Sequence, residues 1–112
     1  MYEYKCQLIR VIDGNTLEAD IDLGFNIRIK QKIRLYGVEA TNPHQADKET
    51  IEEEKARLKT LLPREFLVQT ILSKRSKVGR CLGILFVETA EGTRININEE
   101  LISRGLAKKF SA

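Results

Sequence analysis

Residues 10–35 read RVIDGNTLEADIDLGFNIRIKQKIRL and alternate strand-like runs with two short turns. Asp13-Gly14-Asn15 and Gly24-Phe25-Asn26 are turn signals, because Gly and Asn adopt the backbone angles that tight turns require. Residues 16–23 between them alternate apolar and polar side chains, which is typical of a half-buried strand. With the β-rich run at residues 4–12, this stretch predicts three consecutive strands.

The third run, residues 27–35, separates apolar and cationic side chains onto two faces, because successive side chains on a strand point to opposite sides. The parity that we expect to face the core carries Ile27, Ile29, Ile33 and Leu35. The other parity carries Arg28, Lys30, Lys32 and Arg34. Four cations on one face repel one another, so this row is either an ordinary solvated surface or a face that meets a polyanion.

The remaining sequence predicts a loop, two further strands and two helices. In chain order these are a loop at 37–45, a helix at 46–62 that Pro63 ends, strands at 66–72 and 81–89, a turn at 90–92, and a short helix that Asn98 caps and that runs through Gly105. Five short strands with a helix between the third and fourth are typical of a Greek-key barrel. The predicted fold is mainly β with α: a five-stranded OB-fold barrel with a second helix at the C-terminus.

Length and composition limit the class of protein. The chain has 112 residues, 42% hydrophobic and 31% charged, so we expect one soluble domain covering residues 1–112. The apolar runs are too short to cross a bilayer, and no secretory signal is visible, so we expect a cytoplasmic protein without a membrane partner. The net charge of +3 permits a polyanionic partner without requiring one.

The cysteines and the histidine exclude one kind of site. Cys6, Cys81 and His44 are the chain's only residues of these two types, too few for a zinc site with about four Cys and His ligands. One disulfide would fit the count, but we expect two free thiols in a reducing compartment.

Four segments of the chain, in matching order, resemble the staphylococcal nuclease-like family. They are RVIDGNTL at residues 10–17, IRLYGVEA at 33–40, KVGRCLG at 77–83 and NEELISRGLA at 98–107. The family patterns to which they are similar are RVIDGDT, xRLxGIDAPE, KYGRxLA and NxxLVxxGLA. The resemblance spans residues 10–107 and agrees with the predicted order of strands and helices, so it implies the same barrel.

The family's active members cleave DNA and RNA with calcium, and the resemblance implies which residues would do so here. Phosphodiester hydrolysis adds negative charge to the phosphate, which a carboxylate-bound cation and two guanidiniums can stabilise. Arg34 and Arg80 fall at the positions of the family's two catalytic arginines. The residues that fall at or beside its metal site are Asp13, Asn15 and Glu39.

The acidic half of that implied site is altered. Asn15 replaces a metal-binding aspartate and offers an oxygen without charge, and Glu39 is one methylene longer than the second aspartate. Asn42 stands at the general-base position and cannot accept a proton near neutral pH. We therefore expect impaired or lost hydrolysis by a degenerate catalytic set of Arg34, Arg80 and Glu39, weak or lost metal binding at Asp13, Asn15 and Glu39, and calcium as cofactor only if the domain is active.

A cleft that keeps two arginines and loses acids becomes more positive, so we predict binding of DNA or RNA in single-stranded form. The candidate contacts are Arg28, Lys30, Lys32, Arg34, Tyr36, Lys74, Arg75, Lys77 and Arg80. Tyr36 and Phe110 are the better candidates for stacking on bases, although both residue types more often pack in a core or at its rim.

Two alternatives stay open from the sequence. An active nuclease could use a rearranged set of ligands drawn from Asp13, Asp20 and Glu39. A protein-interaction domain could keep the fold as a scaffold for a protein partner, and its basic faces would then be solubilising surface.

Overall fold

The computed structural model describes residues 2–39, 48–71 and 80–109. In chain order its elements are β1 (Glu3–Asp13), β2 (Thr16–Gly24), β3 (Ile27–Leu35), β4 (Val38–Glu39), α1 (Lys48–Leu61), β5 (Glu65–Ile71), β6 (Arg80–Glu88), β7 (Arg94–Asn96), α2 (Ile97–Ser103) and β8 (Lys108–Lys109). Every predicted strand and helix has a counterpart within two residues of its expected ends. The short strands β4, β7 and β8 are additional.

The two predicted turns are confirmed as two-residue loops between antiparallel strands. Gly14-Asn15 joins β1 to β2, and Phe25-Asn26 joins β2 to β3. Phe25 and Asn26 have φ angles of 55° and 62°, which is the positive-φ pair of a type I′ turn. Asn suits such a position, whereas a bulky Phe seldom adopts it.

The barrel closes where β3 and β6 pair in parallel. The main sheet runs β3-β2-β1-β5-β6-β7, and the additional β3–β6 pairing joins the first strand of this order to β6. That pairing extends from Lys32 opposite Arg80 to Leu35 opposite Gly83. Strands β1, β2, β3, β5 and β6 therefore form a five-stranded mixed barrel of the predicted OB type, and β7 continues from the outer edge of β6.

The core fills the barrel and continues under both helices. Its largest fully buried side chains are Leu17, Ile33, Leu35, Leu58, Val68, Leu85 and Leu101. Leu58 anchors α1, and Leu62 follows just after that helix and is also buried. Helix α1 ends at Leu61, two residues before Pro63, which confirms the predicted helix end. Neither described helix is long and apolar enough to span a membrane.

The predicted core face of β3 is only half correct. Ile33 and Leu35 are buried, but Ile27 is 54% exposed and Ile29 is 36% exposed. Among the described residues, β6 pairs with β3 only from Lys32 onward. The first half of β3 therefore extends past the part of the barrel that the described β3–β6 pairing closes.

The start of α2 corrects a second expectation. The N-cap is Asn96, whose side-chain oxygen accepts a hydrogen bond from the backbone N–H of Glu99 at 3.1 Å. Asn98 is therefore not the cap. The predicted end of this helix is confirmed, because Gly105 has a φ of 70° and lies directly after the C-cap residue Arg104.

Asn98 instead fastens α2 to the barrel. It is 4% exposed, and its amide donates to the carbonyls of Tyr36 at 2.9 Å and Gly83 at 3.1 Å. Its side-chain oxygen accepts from the backbone N–H of Leu85 at 3.0 Å. One buried side chain thus ties α2 to β6 and to the segment that follows β3.

We expect Gly83→Ala to lower the free energy of unfolding by about 1–3 kcal/mol, because overpacking displaces neighbours in a dense core. A Cβ at Gly83 would lie 2.5 Å from Cγ2 of Val68 and 3.2 Å from Cγ2 of Ile33. Urea denaturation measures the loss. The control is the same substitution in a Val68→Ala background, where the closest clash is gone and the cost should shrink. Equal costs in both backgrounds would contradict the steric explanation.

We expect Phe25→Asn to raise the melting temperature by about 2–5 °C, because Asn relieves the positive-φ strain of the turn. Phe25 is 98% exposed, so the substitution removes almost no packing. Asn26→Ala is the matched control and should lower the melting temperature, since it removes the tolerant residue from the neighbouring position. An unchanged or lower value for Phe25→Asn would show that Phe25 is not strained.

Candidate nucleic-acid interface

The second half of β3 carries the candidate phosphate contacts on the outer surface of the barrel. Lys32 and Arg34 are exposed, and they alternate with the buried Ile33 and Leu35. Lys32 is opposite Arg80 in the β3–β6 pairing. The closure of the barrel therefore places the first residue of β6 beside Lys32, in the second half of β3.

The first half of the predicted basic row is already paired with acids on β2. Glu18, Asp20 and Asp22 are the register partners of Lys32, Lys30 and Arg28, so the acids lie on the same face. Arg28 makes a 2.9 Å ion pair with Asp20, and Lys30 lies 3.7 Å from Glu18, which also pairs with Arg10 at 3.3 Å. The exposed Arg28–Asp20 pair contributes at most about 1 kcal/mol, but all these contacts neutralise charge.

Lys32 and Arg34 differ from the rest of the row. Neither makes an ion pair with any residue in the described ranges. Arg34 is opposite Thr16, a neutral residue, and Lys32 is opposite Glu18, whose carboxylate is shared by two other cations. Excess positive charge is therefore concentrated at the end of β3 that meets β6.

Backbone hydrogen bonds hold the segment that follows Arg34. The Tyr36 N–H donates to the carbonyl of Gly83 at 2.9 Å, and the Tyr36 carbonyl accepts from Asn98 at 2.9 Å. Gly37 follows with a φ of 76°, a conformation that favours glycine. The Tyr36 side chain is 51% exposed, so an outward-facing aromatic is carried on a fixed backbone.

Asn15 attaches the β1–β2 turn to the same segment. It is 6% exposed, and its side-chain amide donates to the Val38 carbonyl at 3.1 Å. Its backbone carbonyl accepts from the N–H of Leu35 at 2.7 Å. The side chain at the implied metal-ligand position therefore forms part of the framework.

The described residues do not fit the implied calcium site. Asn15 is uncharged and buried, and one lone pair of its side-chain oxygen accepts from the Thr16 hydroxyl at 3.1 Å. Asp13 accepts the N–H of Asn15 at 2.9 Å, and Glu39 is exposed opposite Lys108. Within residues 2–39, 48–71 and 80–109, no cluster of three Asp, Glu, His or Cys side chains could hold a metal ion.

Several predicted contacts lie outside the described residues. These are Lys74, Arg75 and Lys77 of the basic stretch, Asn42 at the general-base position and Phe110. Arg80 is described by its backbone in β6, so the predicted guanidinium clamp with Arg34 stays a prediction. The predicted roles of the other site residues likewise stay predictions.

Sequence reasoning missed two sets of residues at this end of the barrel. Asn98 braces Tyr36, but its residue type suggested only a helix cap. Lys108 and Lys109 of β8 pair with Glu39 and Val38 of β4 and add two exposed cations beside Glu39. Their only signal was adjacency in the sequence to the last family-like segment.

The two thiols are not candidates for nucleophilic catalysis. Both cysteines are free, as expected, and Cys6 is buried whereas Cys81 is partly exposed. Burial raises the pKa of Cys6 to about 12, and burial also raises the pKa of Cys81. Both therefore stay protonated near neutral pH, and the thiol form is a poor nucleophile.

Comparison with known proteins identifies the family to which this barrel belongs. A family model described as staphylococcal nuclease homologue matches residues 32–112, a range that begins at Lys32 and includes Arg34, Glu39 and Arg80. Such a match generally implies nuclease activity or nucleic-acid binding. No curated protein matches the chain significantly. Because the family model matches more than half of the chain, the protein belongs to the staphylococcal nuclease homologue family.

Proposed function

We propose that this domain binds single-stranded DNA or RNA through phosphate contacts at the β3–β6 junction, and that calcium-dependent hydrolysis is impaired or lost. The observation that carries the proposal is the contrast between the two halves of the site. Lys32 and Arg34 are exposed without an ion pair in the described ranges, whereas Asn15 is engaged in the framework.

The position of the free cations supports phosphate binding. Lys32 and Arg34 lie two residues apart on one strand, about 7 Å along its axis. A guanidinium can form two parallel hydrogen bonds with phosphate oxygens, whereas an ammonium acts as a point charge. A backbone with repeated phosphates can contact both cations, because their side chains share one face of the sheet.

Tyr36 supports a single-stranded partner. Its ring is half exposed two residues beyond Arg34, and its backbone is held at both polar groups. Stacking of a base on an aromatic ring needs an unpaired base and contributes about 1–3 kcal/mol. Lys108 and Lys109 of β8 lie beside β4 and extend the basic surface beyond Tyr36.

The proposed loss of hydrolysis is supported by the chemistry of Asn15 and by the surroundings of Glu39. Calcium affinity depends on the charge as well as the number of oxygen ligands. Asn15 supplies no charge, and Glu39 is opposite Lys108, a cation that opposes the arrival of a divalent ion. The retained arginine can still bind phosphate, because that contact does not require a metal.

We expect Arg34→Ala to weaken binding of a labelled single-stranded oligonucleotide about tenfold, because it removes a charge-assisted phosphate contact. Fluorescence anisotropy over a salt series in EDTA measures it. The slope of log affinity against log salt should fall by about 0.7, the value for one phosphate on a single strand. Lys59→Ala is the charge-matched control, on the last turn of α1, and should leave affinity nearly unchanged. Equal losses for both variants, or salt-independent binding, would refute the proposed interface.

We expect the wild-type domain not to cut single-stranded DNA or RNA above the level of the Arg34→Ala variant, in calcium, manganese or magnesium. The reason is that the described carboxylates do not form a metal cluster. Gel analysis of end-labelled substrates measures cleavage, and calorimetric titration with calcium, with and without a nucleotide bisphosphate, measures metal affinity. Metal-dependent scission that requires Arg34 would instead establish an active nuclease with rearranged ligands.

A further inference from the structure

We infer that Asn15 is a positioning residue: its side-chain amide holds the Arg34–Glu39 segment in place through a buried hydrogen bond to Val38, so restoring an aspartate at this position would damage the site rather than repair it. The inference rests on the proposed function, because it concerns how the proposed phosphate-binding segment is preorganised. It assigns Asn15 a role that the metal-site resemblance does not.

The first step is the buried side-chain bond. Asn15 Nδ2 donates to the carbonyl of Val38 at 3.1 Å, across 23 positions of the sequence, and both residues are buried. The orientation of the amide follows from chemistry, because the Val38 carbonyl only accepts and must face the NH₂ group. The Thr16 hydroxyl donates to Oδ1 at 3.1 Å, which agrees with that orientation.

The backbone of Asn15 completes the connection. Its N–H donates to Oδ1 of Asp13 at 2.9 Å, and its carbonyl accepts from Leu35 at 2.7 Å. Two of the four bonds, those to Leu35 and Val38, enclose the stretch of chain that contains Tyr36. The position of this stretch is therefore fixed by the β1–β2 turn.

An ionised aspartate could not replace the amide. A carboxylate has no proton to donate, so two oxygens would face each other and the buried Val38 carbonyl would lose the hydrogen bond from Asn15. The added charge would also lie beside Asp13 and near Glu39, which are both acidic. Thr16, the residue after Asn15, has Arg34 as its register partner. Within the described strands, Arg34 is the only cation paired with a residue next to this turn.

The test compares Asn15→Asp with wild type by thermal denaturation in EDTA at pH 8. We expect the variant to melt about 10 °C lower, because the buried hydrogen bond to the Val38 carbonyl is lost. Asn26→Asp is the matched control, because it makes the same chemical change in an exposed turn. It should melt close to wild type.

A binding measurement separates positioning from general stability. At 15 °C and pH 8, where the variants remain folded, Asn15→Asp should bind a labelled single-stranded oligonucleotide about tenfold more weakly than wild type. Leu58→Ala is the control, because it creates a cavity under α1 and lowers the melting temperature without touching the segment. Its affinity should match that of wild type at this temperature.

The outcomes distinguish the inference from the proposed function. If Asn15→Asp is as stable as wild type at pH 8 in EDTA, the Asn15 amide does not hold the segment and the inference is wrong. If the variant gains stability and cleavage activity with calcium, Asn15 is a substituted metal ligand and the inference is also wrong. If wild type fails to bind the oligonucleotide while Asn15→Asp is destabilised and Asn26→Asp is not, the proposed function fails, and the hydrogen-bonded role of Asn15 in holding the segment stands.

Discussion

The parallel pairing of β3 with β6 is the constraint on which the fold and the candidate site both depend. It closes the barrel, and at its far end the carbonyl of Gly83 accepts hydrogen bonds from Tyr36 and Asn98. There is no room for a side chain at that point, since Val68 occupies the space. The same close approach that completes the core therefore also sets where the chain leaves the barrel after Arg34.

Electrostatics then divides the row of cations on β3 into a paired half and an unpaired half within the described residues. Acids on β2 neutralise the half of β3 that extends past the closed barrel, where Arg28 and Lys30 lie. The other half, at Lys32 and Arg34, keeps its charge available. Among the described residues of β3, the cations without an ion pair are therefore the two that lie next to the braced segment.

Much of the fold could be predicted from short-range patterns. The turns at Gly14-Asn15 and Phe25-Asn26, the helix end at Pro63 and the positive φ of Gly105 follow from the preferences of individual residues. Strand order followed from the number and spacing of runs together with the family resemblance. Those signals are local, or they repeat across a family, and both kinds can be read without knowing tertiary contacts.

The site was harder to predict, because its features depend on contacts between distant strands. The alternation of Ile27 and Ile29 does not reveal where β6 starts to pair, so their exposure could not be foreseen. The acids opposite Arg28 and Lys30 become visible only once the register is known. Asn15 and Asn98 look like a lost ligand and a helix cap in the sequence, whereas in the fold both are buried cross-links.

The closing pairing also has a consequence for how the domain is made. Lys32 and Arg80 are far apart in the chain, so on the ribosome the three-stranded β1–β3 meander emerges long before its partner strand. Until β6 is synthesised, the apolar side that carries Leu17, Ile33 and Leu35 has no barrel to enclose it. Nascent chains of this domain thus pass through a stage of translation in which this apolar side is not yet enclosed.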